Sequence, residues 1–288
     1  MSIQISPGQN PVFSGHTADR ILSHPPAEMV VSLDLGLTQT RIVVSKERFT
    51  LPLGAEYALE ALEESFSAPE DCVELLPDSV RKIYLYSEHT GKYYKLYQAR
   101  ENCAPTIIIG GATMHAIVDM NPWEDAREKV GALRPRGGVC LDTCFGLSYS
   151  AQLLKESGYD RVMTCEVDRN VLQVAAVNPW SRSAFDDDDI EIVHRDERDV
   201  LRECPNEHFA GIFHDPPTIH QAGELYGGDF YAELRRVLRP RGWMYHYVGE
   251  PGAKRGQDFT RGVIRRLQEA GFHRTSRRAR GVVCQRRD

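Results

Sequence analysis

The chain has 288 residues, 41% of them hydrophobic and 26% charged, with a formal net charge of −6. This excludes collagen-like, mucin-like and wholly disordered chains and leaves room for one large core or two unequal domains. No apolar run reaches the roughly eighteen residues a bilayer span needs, and the opening MSIQISPGQNPVFSGH lacks the basic-then-apolar order of a secretory signal. The expectation is a cytoplasmic protein with no membrane partner.

The seven cysteines are odd in number and form no CxxC pair, which argues against a disulfide framework and against a metal site. Charge is unevenly spread. Residues 254–288 carry eleven Lys or Arg against three acids, which leaves −14 on the preceding 253 residues. That basic end, with Arg274, Arg277, Arg278 and Arg280, is a candidate for contact with RNA phosphates or a solvated arginine-rich surface.

Residues 1–25 are rich in Pro, Gly, Ser and His without periodicity, so they read as a disordered lead-in. Residues 26–118 read as a small, mostly β domain. MVVSLDLGLTQTRIVVS alternates apolar and polar residues on either side of a turn, EYALEALEESF has helical spacing, KIYLYSEHTGKYYKLYQ is a second hairpin turned at HTG, and TIIIGG is a short buried strand. A homodimer contact or a lid is the expected use of such a domain.

The texture changes in 119–288. PWEDAREKVGAL opens a helix with proline in the first turn and acids near the N-terminus. Strand and helix patterns then alternate through GGVCLD, SYSAQLLKESG, RVMTCE, RNVLQVAAV, IEIVH, DVLREC, FAGIFHD, FYAELRRVL, GWMYHYV and FTRGVIRRLQEAG, with GFHRTS and GVVCQRR closing as an edge hairpin. Such alternation predicts an α/β fold: a doubly wound, mostly parallel, seven-stranded sheet.

In such a sheet ligands bind beyond the carboxyl ends of the strands, so the residues that end each strand carry the information. The first strand ends in Asp142 and turns through Cys144, Gly146 and Ser148 into a helix. Small residues in this turn let backbone approach a ligand and aim amide N–H groups at it, although only Gly146 is a glycine. Glu166 ends the second strand, twenty-four residues after Asp142, where a carboxylate holds the vicinal hydroxyls of a ribose. Asp196 after the third strand is placed to accept from an adenine amino group, with Asp199 an equal candidate and helix capping the plainer role for both.

The fourth strand is the sharpest feature. FAGIFHDPPT brings an acid and two prolines to the rim, where the prolines lock an extended turn. Asp215 and the carbonyl of Pro216 then offer acceptors to an incoming amine, with His214 beside them.

VCLDTCFGLSYSA, CEVD with NPWS, HDPP followed by AGELY and FYAELRRVLRPRG, and HYVGEPG together resemble the class I S-adenosylmethionine-dependent methyltransferases. The resemblance is closest to an archaeal-type group of predicted methyltransferases related to spermidine synthases, and it covers roughly residues 112–288. It implies the Rossmann-like methyltransferase fold and S-adenosyl-L-methionine as cofactor. It places Asp142, Cys144, Gly146 and Ser148 at the methionine part, Glu166 at the ribose and Asp196 on the adenine side. It places the catalytic-rim motif on Asp215, Pro216 and Pro217. From the residues themselves His214 is a further catalytic candidate, Pro217, Thr218, Asn178, Trp180 and Tyr247 are candidates at the substrate, and no metal is expected.

Thr218 stands where nitrogen-directed nucleic-acid methyltransferases have an aromatic after Asp-Pro-Pro, which removes the stacking platform for a flipped base unless Tyr226, Tyr245 or Tyr247 supplies a ring. Methyl transfer to an amine or other nitrogen of a small molecule, protein or RNA is the leading expectation. Aminopropyl transfer from the decarboxylated cofactor is the alternative, and a non-catalytic adapter retaining the fold is a third.

Overall fold

The structure is a computed structural model that describes residues 6–134, 137–219, 221–249 and 255–288. Its contacts divide the chain into two units, one running up to Asp125 and including Asn170–Asp186, the other made of Ala126–Arg169 and Asp187–Asp288. The division falls seven residues beyond the boundary expected at 118, and it assigns a helical excursion from the α/β region to the N-terminal unit.

The N-terminal unit is built of short antiparallel strands. Ala27–Val31, Thr40–Val44, Arg48–Thr50 and Glu56–Ala58 form one sheet, and Tyr84–Ser87, Lys92–Tyr97, Thr106–Ile109 and Ala112–Thr113 form another. The two expected hairpins are the pairs 27–31 with 40–44 and 84–87 with 92–97.

A third sheet corrects the sequence reading of the lead-in. Val12–Ser14 pairs with Cys72–Leu76 and is followed by a helix over Gly15–Ser23. Phe13 and Ile21 are fully buried there. Composition missed this because Val12 and Phe13 find their partners some sixty residues away, at Glu74 and Val73, and local propensity carries no trace of such pairing.

The second unit holds the large sheet, whose strands are β1 (Val139–Asp142), β2 (Arg161–Cys165), β3 (Ile190–Val193), β4 (Phe209–His214), β5 (Leu238–Tyr247), β6 (Phe272–Arg278) and β7 (Gly281–Arg286). Their order is β3-β2-β1-β4-β5-β7-β6, parallel from β3 to β5, with β7 antiparallel to both β5 and β6. This is the doubly wound, mostly parallel, seven-stranded sheet expected from the alternating pattern.

Leu141, Cys165, Ile212, Met244, Val282 and Cys284 bury their side chains in one core with Leu234, Val263 and Leu267 from the helices. Near-continuous burial is what a parallel strand covered on both faces requires. β4 is also where backbone must come close: a Cβ on Gly211 would lie 2.1 Å from the Tyr159 hydroxyl, so only glycine lets that buried ring cross the strand. No helix among the described residues is long and apolar enough to cross a membrane.

Candidate active site

The chain runs from β3 back across β1 to β4, so the carboxyl ends of β1 and β4 form the switch point of the sheet. The turn after β1 hangs between its neighbours. Thr143 N donates to Phe213 O at 3.0 Å on the β4 side, and Phe145 N donates to Cys165 O at 2.7 Å on the β2 side. Phe145 and Leu147 are buried and pin the turn to the core. Gly146 (φ 55°) and Ser148 (φ 67°) adopt left-handed backbone. A Cβ on Gly146 would meet nothing within 4 Å, so open space faces the turn. Left-handed serine is a local strain of the kind that collects at functional sites.

Asp142 is fully buried at the end of β1. Its Oδ2 accepts from Ser150 Oγ at 2.8 Å and Thr164 Oγ1 at 3.1 Å. Oδ1 is buried and makes no hydrogen bond, although the Cys144 amide lies close enough to favour the charged form. Burial pushes the carboxyl up to about 7, and the nearby charge of Asp215 adds to the rise. An acid in this state is poised for a cationic group.

Glu166 lies on the β2 side of the same turn. Its Oε2 accepts from Gly146 N at 3.1 Å and its Oε1 from Asp168 N at 2.9 Å. Burial pushes it up to about 7 against those two hydrogen bonds. Val167, beside it, is 61% exposed, an apolar surface that the strand-end logic had not singled out. Cys144, where a nucleotide turn usually has glycine, keeps its thiol protonated through burial and the nearby Glu197 and Glu166 charges.

Asp196 is placed differently from expectation. It is the N-cap of the helix Glu197–Glu203, accepting from Arg198 N at 2.9 Å, and it pairs with the Arg198 guanidinium at 2.5 Å. The bond to Arg198 holds its carboxyl below the usual range. Its oxygens are committed to capping and to Arg198, the plainer of the two roles read from the sequence. The acid that turns inward is Glu197, 7% exposed, pushed up to about 7 by burial and close enough to act on Cys144 and Glu166. An N-cap followed by a second acid is the feature of the sequence that marks Glu197.

At the rim of β4, Pro216 is buried while Pro217 and Thr218 are exposed. Pro217 O accepts from the Tyr226 hydroxyl at 3.0 Å. Thr218 closes a turn, its carbonyl accepting from Gln221 N at 2.8 Å and its hydroxyl donating to Gln221 Oε1 at 3.2 Å. Tyr226 is 3% exposed and lies close enough to Asp215 to feel its charge. It is therefore one aromatic that lies against the rim, whereas Tyr245 bonds Ala279 O and stacks on Phe213.

A residue that sequence reasoning missed completes the rim. Lys129, on the helix Pro122–Val130, donates from Nζ to Asp215 Oδ2 at 2.7 Å and sits 4.2 Å from the centroid of the Tyr247 ring. Its side chain is 5% exposed, against 24% for Asp215. A lysine on a charged helix reads as solvated, so nothing local marks it.

Three expected site residues are corrected. His214 is fully buried inside the sheet, with Nδ1 2.7 Å from Thr143 Oγ1 and Nε2 3.1 Å from Leu225 O. Burial lowers it to about 4, so it is a neutral packing residue, not a base at the rim. Asn178 is buried in the N-terminal unit, where its side chain accepts from Trp180 N at 3.2 Å and donates to Ser181 Oγ at 2.8 Å as a turn cap. In the same unit Trp180 donates from Nε1 to Leu35 O at 3.2 Å and packs 5.6 Å from Trp123. The NPWS segment owes its composition to that capped turn. Glu250, after β5, lies outside the described residues.

No protein-family model matches the chain. A polyamine aminopropyltransferase of Nitrosomonas europaea is 30% identical over 110 residues, 37% of this chain and 33% of that protein. Spermidine synthase from Thermotoga maritima superposes with a TM-score of 0.55 at 14% identity over 99% of this chain and 82% of that one. A spermidine synthase in complex with the transition state analogue AdoDATO gives 0.57 at 14% identity over 99% and 83%. These likenesses show a shared fold. Uncharacterized protein MJ1233 of Methanocaldococcus jannaschii is 35% identical over 275 residues, 93% of this chain and 92% of that protein, and on that measure the chain belongs to the MJ1233 family.

Proposed function

We propose that the chain is an S-adenosylmethionine-dependent methyltransferase that acts on a nitrogen nucleophile held at the rim by Asp215 and the Pro216 carbonyl. The residues present fit the cofactor. Open space faces Gly146, Asp142 carries a buried oxygen with no hydrogen bond, and Glu166 flanks the same turn. Asp142, Cys144, Gly146 and Ser148 would hold the methionine part, Glu166 the ribose hydroxyls with Val167 beside it, and Glu197 would stand on the adenine side.

When bound, the sulfonium supplies an activated methyl group, so this chain need not provide a strong acid. Its residues must align the nucleophile, exclude water and manage one proton. Asp215 orients the nucleophile's lone pair and accepts the proton that the nitrogen sheds once it has been alkylated, and the prolines fix the backbone from which it projects.

The observation that supports methyl transfer is the rim itself: after β4 the acid Asp215 is followed by the uncharged Pro216, Pro217 and Thr218 and not by a run of acids. The second reading, aminopropyl transfer, is favoured by the partial identity to a polyamine aminopropyltransferase. RNA is one acceptor class, supported by the exposed Arg277 and Arg278 on β6. Salt-sensitive RNA retention, lost when both are neutralised, tests it.

The function is tested by incubating the protein with methyl-labelled cofactor and an extract from a strain lacking the gene. Label enters an acceptor fraction, and Asp215→Ala keeps cofactor affinity within a few-fold while turnover falls at least about a hundredfold. Equal loss of both would make Asp215 a cofactor ligand.

A further inference from the structure

We propose that Lys129 sets the acceptor class: its ammonium fills the amine subsite formed by Asp215 and Tyr247, so alkylammonium acceptors are excluded and the group passes to an uncharged nitrogen. This rests on the transferase reading above. An alkylammonium ligand is recognised by a carboxylate that accepts its hydrogen bond and an aromatic face that stabilises its charge. Lys129 Nζ makes both contacts, at 2.7 Å from Asp215 Oδ2 and 4.2 Å from the Tyr247 centroid. The chain thus presents its own primary amine where a substrate amine would dock.

Burial makes the occupation firm. With a side chain only 5% exposed, the ammonium is largely shielded from water where it meets Asp215. An external amine must also compete with one tethered at high effective concentration. Pro216, Pro217 and Thr218, which follow Asp215, carry no charge. A protonated amine has no lone pair, and an Asp215 already paired with an ammonium is a weaker base for removing its proton. A nitrogen whose lone pair needs no prior deprotonation, as in a heteroaromatic ring, meets the requirement.

The test is titration calorimetry of putrescine into the full chain, with and without S-adenosylhomocysteine, for the wild type and for Lys129→Met and Lys129→Gln. Melting temperature and circular dichroism report that each variant is folded. The wild type shows no saturable putrescine binding, both variants bind at least about tenfold more tightly, and adding Asp215→Asn removes the gain. Wild-type binding as tight as that of the variants overturns the proposal, as does the absence of any gain in a folded variant. The S-adenosylhomocysteine titration reads the transferase reading separately: its failure alongside an amine gain in the variants would remove that reading and leave the subsite assignment standing.

Discussion

If the cofactor binds as proposed, the burial of Asp142 makes that binding depend on pH in a fixed direction. The carboxyl is fully buried, its Oδ1 makes no hydrogen bond, and burial pushes it up to about 7. In the unfolded chain a free aspartate titrates near about 4. Its folded value is therefore the higher one, and its contribution to stability is fully present below the unfolded value and lost as pH rises through 7. A ligand ammonium at Asp142 needs the ionised form, present in about one molecule in eleven at pH 6 and about ten in eleven at pH 8. Apparent affinity for S-adenosylhomocysteine then rises about tenfold across that interval. Calorimetry at pH 6, 7 and 8 reads this for the wild type and for Asp142→Asn, in which the slope falls by about that factor and a remainder belongs to Glu166 and Glu197. A flat wild-type profile, or an unchanged slope in Asp142→Asn, would refute the reasoning.

Two further predictions come from single contacts. Glu166→Gln gives one of the two backbone donors, Gly146 N or Asp168 N, an amide nitrogen to face, which costs about 1–3 kcal/mol, and it weakens S-adenosylhomocysteine binding at least about tenfold. Paired melting and binding curves check both effects. Gly211→Ala forces a methyl onto the Tyr159 hydroxyl and lowers stability by about 1–3 kcal/mol, measured by denaturant unfolding, and an unchanged midpoint would show that the ring moves freely.

The α/β unit was legible because its signals are local. Strand and helix alternate at their own periods, and four of the strand ends are polar, so the sequence alone puts Asp142, Glu166 and Asp215 at one edge. The failures share a different cause. Strand Val12–Ser14 depends on Cys72–Leu76, and Lys129 acquires its role from Asp215, eighty-six residues away. Long-range pairing of this kind leaves no periodic trace in one chain. His214 misled because a polar residue at a strand end signals function only if its side chain leaves the core, and Thr143 and Leu225 instead satisfy both its ring nitrogens within it. Asn178 misled in the opposite way: its turn chemistry was visible, but the unit that uses it was not.

The most direct test of the account is titration of the purified chain with S-adenosylmethionine and, separately, with its decarboxylated form. Saturable binding of S-adenosylmethionine that is weakened by Glu166→Gln, followed by methyl release that depends on Asp215, is the predicted result. Binding of neither compound would contradict the assignment of an adenosyl cleft, and tight binding of the decarboxylated form alone would move the chemistry to aminopropyl transfer.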